Sequence, residues 1–207
     1  VRAAGQDRHK ESELHEDLTS ATLSDGPAAE ALHWVFGYGS LIWRPGFDFV
    51  VRERALLRGA HRSLCIYSHI YRGTETAPGL VFGLARGGAC GGMAFGVADA
   101  IWPEVIAYLR ARELVTDVYR EAVRPVRLAG GRTVAAVAYL ADEHHPQYAG
   151  GLTLAEQAGL VRRSVGQSGP NLDYVLNTAA HLTQLGIHDR ALERLAATLR
   201  QPASAVA

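Results

Sequence analysis

Two places in this sequence carry residue types that could do chemistry together. The first is Val35-Phe36-Gly37-Tyr38-Gly39-Ser40-Leu41-Ile42, an apolar run that ends in two glycines flanking a tyrosine. A strand that breaks into such a turn can aim several backbone N–H groups at one point, and such concavities hold anionic oxygens or polarised carbonyls. Gly37 and Gly39 are expected to give the chain positive φ and close approach, which makes Tyr38, Gly39, Ser40 and Leu41 the first candidate site. The plain alternative is a strand and a tight turn that binds nothing. The second place is Glu113, at the end of Tyr108-Leu109-Arg110-Ala111-Arg112-Glu113. On a helix Glu113 falls about 40° from Leu109 and so continues the inward, apolar side. The C-terminal end of a helix carries partial negative charge and disfavours a carboxylate. Turned inward and desolvated, that carboxyl would have a raised pKa, as a general base working near neutral pH requires. The alternative is a solvated glutamate paired with Arg110 or Arg112, and Arg112 lies near the same face.

Other constellations fail on spacing. Ser40 is not in a Gly-x-Ser-x-Gly elbow. His144 and His145 are adjacent and have no Cys or His at metal-ligand spacing around them, so no metal is expected. Cys65 and Cys90 are read as small core or turn residues rather than reactive thiols. The glycines from Gly87 to Gly92 lack the Lys-Ser/Thr of a phosphate loop and are read as a hairpin turn.

The elements that must position these residues follow from pattern. Strands are expected at Trp34–Tyr38, at Arg54–Arg58 and Arg62–Tyr67 with Gly59 between them, and at Gly79–Ala85 and Met93–Val97 as a hairpin. A helix is expected over Trp102–Glu113, with Asp99 able to cap it and Pro103 tolerated in its first turn. Strands at Ala122–Leu128 and Thr133–Leu140 follow, joined by Gly130-Gly131. Helices close the chain at Thr153–Ser164, Asn171–Leu185 and His188–Arg200, with Thr153 or Asn171 as caps. Strands first and helices last make this an α+β fold with a largely antiparallel sheet or small barrel.

Bulk properties narrow the partners. The chain has 207 residues, 48% of them hydrophobic, enough for one sizeable core. Lys plus Arg and Asp plus Glu are both 21, so the net charge is zero and broad nucleic-acid or anionic-membrane binding is not expected. No apolar run approaches the roughly 18 residues of a spanning helix. No secretory signal is seen, which makes a cytoplasmic protein the expectation. Residues 1–31 are polar, have little apolar surface to bury, and are read as a mobile extension; residues 32–207 are read as one catalytic domain.

Together these pieces resemble a known family. Trp34-Val35-Phe36-Gly37-Tyr38-Gly39-Ser40-Leu41-Ile42-Trp43 is similar to the signature of the ChaC-type, glutathione-specific γ-glutamylcyclotransferases. The likeness continues through Tyr71-Arg72-Gly73-Thr74, Gly91-Gly92-Met93-Ala94-Phe95-Gly96-Val97, Tyr108 to Glu113, and Gly166-Gln167-Ser168-Gly169-Pro170-Asn171-Leu172-Asp173-Tyr174. Residues 1–31 and Leu114 to Asp117 lie outside it. The resemblance implies a small, partly open β-barrel, mixed or antiparallel, with surrounding helices. It implies conversion of glutathione to 5-oxoproline and cysteinylglycine without metal or cofactor, with Glu113 as acid/base and the Tyr38–Leu41 turn holding the γ-glutamyl group.

In that reaction the α-amine of the γ-glutamyl unit attacks its own γ-carbonyl. The nucleophile is tethered, so the enzyme mainly fixes geometry and moves protons. Glu113 would take a proton from the amine and return it to the leaving nitrogen. Backbone N–H groups of Gly39-Ser40-Leu41 would stabilise the oxyanion or the α-carboxylate, and a side chain at Gly39 is expected to be badly tolerated. Arg72 would pair with the glycyl carboxylate or remain a solvated loop cation. Tyr119 and Tyr174 would offer hydroxyls to the substrate or serve as core tyrosines. Two further readings keep the fold: a cyclotransferase for other γ-glutamyl amino acids or amines, and a non-catalytic binding or regulatory protein.

Overall fold

The structure, a computed structural model, describes residues 31–202. Residues 1–30, which hold almost all of the expected extension, and 203–207 lie outside the described residues. The strands are β1 (Leu32–Gly37), β2 (Val51–Ser68), β3 (Gly79–Ala98), β4 (Tyr119–Leu128) and β5 (Thr133–Ala141). They form a barrel in the order β1-β3-β2-β4-β5. Neighbours are antiparallel except at the seam, where β1 meets β5 in parallel over Trp34↔Ala136 and Val35↔Val137. The expected small mixed barrel therefore forms. Its seam, expected to gape, is closed by those two residue pairs and one β3–β5 pair, Leu84↔Leu140.

Two glycine readings are corrected here. Gly59 does not separate two strands, and Gly87 to Gly92 is not a hairpin turn: β2 and β3 each run unbroken, paired from Val51↔Gly96 to Ser68↔Gly79. Gly59, Gly87 and Gly88 do take positive φ, but a long partner strand on the same ladder absorbs them as a register shift between Arg58 and Ala60. The turn of this ribbon is the loop between Ser68 and Gly79.

Helix α1 (Trp102–Glu113) starts as expected with Pro103 in its first turn, but its N-cap is Ile101 and no side chain caps it. Asp99 instead opens a short 3-10 turn and meets His33 Nε2 at 2.7 Å. Helix α2 (Leu154–Arg163) is capped by Thr153 in a reciprocal capping box with Glu156. A two-residue bridge (β6, Val165–Gly166, with β7, Gly169–Pro170) leads into α3 (Asn171–Gln184), and α4 (Arg190–Arg200) follows. Asn171 is not a cap. Fully buried, it accepts from Leu80 N–H and donates to Leu80 C=O, both at 2.7 Å, as a neighbouring strand would.

The core is built from Val35, Phe95, Val97 and Tyr139 on one face of the sheet and Phe36 on the other, while Leu109 buries α1 in the same cluster. Each such side chain stabilises the fold by about 1.5–3 kcal/mol. One charge is enclosed with them. Arg62, 5% exposed, donates from Nε to the Tyr38 carbonyl at 2.6 Å and from Nη1 to Asp189 Oδ2 at 2.6 Å. Its Nη2 donates to the Gly91 carbonyl. Asp189 also caps α4 through Leu192 N–H, so the last helix is tied to the end of β1.

Candidate active site

Strand β1 delivers Tyr38 to the rim of the barrel, where the chain turns through a 3-10 helix at Ser40–Ile42. Ile42 N–H donates to Gly39 O at 3.0 Å and Arg44 N–H to Ser40 O at 2.9 Å, which fixes the turn. Its start has no side-chain cap, so its first N–H groups find no partner in the turn itself. Neither flanking glycine has positive φ. Gly37 is required for a different reason: a Cβ there would lie 3.1 Å from Leu41 Cβ and Phe95 Cε2. At Gly39 a Cβ would meet only Tyr174 Oη at 3.7 Å and Phe82 Cβ at 3.9 Å. The expected intolerance therefore belongs to Gly37, and a small side chain at Gly39 can be housed.

Helix α1 brings Glu113 to the same rim, with its side chain 18% exposed. Burial raises its carboxyl pKa, while the neighbouring Arg112 charge pulls it down. Of the two arginines weighed as partners, Arg110 pairs with Glu121 at 2.7 and 2.9 Å. Arg112 brings Nε to 3.1 Å from Glu113 Oε1.

Four tyrosines from four segments face this carboxylate closely enough to feel its charge: Tyr38, Tyr119 from β4, Tyr139 from β5 and Tyr174 from α3. Burial raises the pKa of each, that of Tyr174 to about 12, so all are neutral hydrogen-bonding groups at physiological pH. Tyr119 Oη donates to Phe82 O at 2.8 Å, and Phe82 N–H donates to Tyr174 Oη at 3.3 Å. Both tyrosines thus complete the unpaired edge of β3 as well as lining the site. Among the described residues the Tyr38 hydroxyl has no hydrogen-bond partner, and Tyr139 Oη donates to Glu121 at 3.1 Å.

Arg72 lies in the β2–β3 turn. Its guanidinium sits 5.1 Å over the Tyr174 ring and donates to Ser168 O, so it is held rather than loose. Gly166 permits this: a Cβ there would stand 2.5 Å from the backbone nitrogens of Arg72 and Gly73.

All eight residues expected from sequence, Tyr38, Gly39, Ser40, Leu41, Arg72, Glu113, Tyr119 and Tyr174, line one cavity of about 700 Å³. Among the described residues no cluster of three His, Cys, Asp or Glu could hold a metal ion. Residues 33–202 match the family profile described as ChaC-like protein.

The chain belongs to the ChaC-like family.

A relative in this family is the glutathione-specific γ-glutamylcyclotransferase of Escherichia coli K12, 31% identical over 182 residues, which span 88% of this chain and 78% of that protein. The mouse glutathione-specific γ-glutamylcyclotransferase 1 is 31% identical over 81% of this chain and 77% of its own length. A crystal structure of a yeast γ-glutamylcyclotransferase specific to glutathione superposes with a TM-score of 0.75 at 23% identity, covering 81% of this chain and 95% of that one, which establishes a shared fold. Among the described residues of this ChaC-like chain no helix is long and apolar enough to cross a membrane.

Sequence reasoning missed Tyr139 and left Arg112 only as a possible ion-pair partner. Tyr139 had a usable signal, since two-residue alternation along Thr133–Leu140 puts it on the side of Val137. For Arg112 the helical wheel gave only the face, not the reach of its guanidinium to the Ser40 turn.

Proposed function

We propose that this chain is a γ-glutamylcyclotransferase that converts glutathione to 5-oxoproline and cysteinylglycine. The observation that carries this is the desolvated Glu113 carboxylate across one cavity from an uncapped turn of backbone N–H groups. Such a pair meets the two demands of the reaction, a proton acceptor for an ammonium and fixed donors for an oxyanion.

The γ-glutamyl unit would lie between the two. Glu113 takes one proton from the α-ammonium, the freed amine adds to the γ-carbonyl, and the five-membered ring closes. Negative charge gathers on the γ-oxygen, where a well-aimed donor of the Gly39-Ser40-Leu41 turn contributes about 2.7–4 kcal/mol. Collapse breaks the amide bond to the cysteinyl nitrogen, and Glu113 returns its proton to that leaving nitrogen. The surplus proton of the ring nitrogen passes through the regenerated carboxylate to the same amine, so the lactam keeps one N–H and cysteinylglycine departs as an ammonium. The raised pKa of Glu113 suits both halves, since a carboxyl held far below neutral would be a poor acid in the second step. Tyr38, with a hydroxyl unengaged among the described residues, is a donor for the substrate's polar end. Arg72 at the cavity wall is the group for a carboxylate at the far end.

The test is mass-spectrometric detection of 5-oxoproline after incubation with glutathione and a panel of γ-glutamyl amino acids and amines. Release from glutathione in preference to the panel is expected. Release only from other γ-glutamyl compounds would move the substrate class, and no release from any would leave a binding protein of the same fold.

A further inference from the structure

The guanidinium of Arg112 touches both halves of the site. Its Nε faces Glu113 Oε1 at 3.1 Å. On its other edge Nη2 donates to Ser40 Oγ at 2.8 Å, and Nη1 donates to the carbonyls of Arg44 and Pro45 at 2.9 and 3.3 Å. Nη1 also reaches Tyr108 Oη at 2.9 Å, one helical turn back on α1. We propose that Arg112 is the positioning residue of this active site, a planar clamp that sets the distance between the acid/base carboxylate and the oxyanion turn and holds a cation against that carboxylate.

This rests on the function proposed above, in which the reacting carbonyl sits between Glu113 and the turn. The planar fork matters because its nitrogens are fixed relative to one another: moving the Ser40 turn drags the charge that faces Glu113. A lysine could supply the charge, but its three donors sit on one nitrogen and could not span from Glu113 to Ser40 and the Arg44 and Pro45 carbonyls. Reach matters too, since an error of about 1 Å between reacting groups can cost about 10²-fold in rate. Glu113 is otherwise faced by neutral tyrosine hydroxyls from the other packed segments: Tyr38 at the end of β1, Tyr119 on β4, Tyr139 on β5 and Tyr174 on α3. Arg112 is therefore the neighbouring cation that opposes the desolvation of Glu113.

The experiment compares wild type, R112K and R112Q by glutathione kinetics from pH 5 to 10, together with ¹³C NMR titration of the Glu113 carboxyl in the ligand-free protein, its resonance identified by its absence in E113Q. In R112Q, kcat should fall about 10- to 100-fold. The acid limb of the kcat profile and the NMR titration should both move to higher pH, because the carboxylate has lost its cation. R112K should restore the acid limb and the titration but not kcat, since charge returns without the fork. An R112Q protein whose acid limb and titration match wild type overturns the proposal, because a merely structural arginine would leave both in place. Should R112Q not fold, R112K decides: wild-type kcat in it overturns the clamp. A wild-type chain that turns over no γ-glutamyl compound overturns the proposed function. The titration then still separates the two ideas, since an unmoved Glu113 titration in R112Q also overturns the Arg112–Glu113 coupling.

Discussion

Replacing Asn171 by alanine should destabilise this protein far more than a loss of one polar surface residue. The Asn171 amide is fully buried and satisfies both backbone groups of Leu80, accepting at 2.7 Å and donating at 2.7 Å. Alanine fills neither role, so one N–H and one C=O are left without partners in the interior. Each such group costs about 1–3 kcal/mol, giving about 2–6 kcal/mol before any relaxation. Partial rescue by an entering water puts the expectation near 3 kcal/mol, or about 6–12 °C in Tm for a domain of this size. The site should suffer with the fold, because the next inward-facing residue of the same strand is Phe82, on which Tyr119 and Tyr174 hang. Differential scanning calorimetry of N171A and N171D reads the first effect. The aspartate keeps an acceptor for Leu80 N–H but sets a carboxylate against Leu80 C=O, so it should melt no higher than the alanine variant at pH 7. An N171A protein melting within 2 °C of wild type would refute the reasoning, as the β3 edge would then not depend on this amide.

Glu113→Gln should bind glutathione with little change in KM and lose about 10²- to 10⁴-fold in kcat, read as 5-oxoproline release. The same variant should melt at or above wild type at pH 7 to 8: burial raises the folded pKa of Glu113, so stability from this group is present at low pH and is lost as pH rises from the unfolded value through the raised folded one. Arg72→Ala should raise KM about 10- to 100-fold with a smaller effect on kcat if its guanidinium holds a substrate carboxylate, and a KM within twofold of wild type removes it from that role. Gly166→Ala should cost about 1–3 kcal/mol by thermal melt, since its Cβ must displace the Arg72–Gly73 backbone, whereas Gly151→Ala, with nothing within 4 Å, should be neutral. Thr153→Ala removes the capping box of α2 and should cost about 1 kcal/mol by urea denaturation.

Helices were legible for local reasons, whereas the candidate site residues gained weight only through the family resemblance. Pro103 in a first turn, Thr153 three residues before Glu156 and the breakers between Gly166 and Pro170 mark helix ends through the chain's own stereochemistry. The strands were harder because their fate is decided elsewhere. Gly59 and Gly87 to Gly92 look like turns in isolation, yet β2 and β3 hold each other extended across them. Asn171 has the composition of a cap, and only the approach of β3 makes its amide a surrogate strand. Seam closure between β1 and β5 is parallel and remote in sequence, so no local pattern announces it. Arg112 shows the same limit, because what its side chain does depends on a turn some 70 residues earlier.

The enclosed Arg62 has a consequence for how much of the chain the site needs. Among the described residues no cavity-lining side chain lies beyond Tyr174, so a fragment ending after α3 would keep every group that lines the cavity described above. It would also lack Asp189, leaving a permanent cation with only the Tyr38 and Gly91 carbonyls as partners. Removing one partner of such a pair costs about 3–5 kcal/mol, and here the strain would be felt first at Tyr38. The shortest working version of this protein is therefore set by charge neutralisation at its distant C-terminal helix, not by the reach of its chemistry.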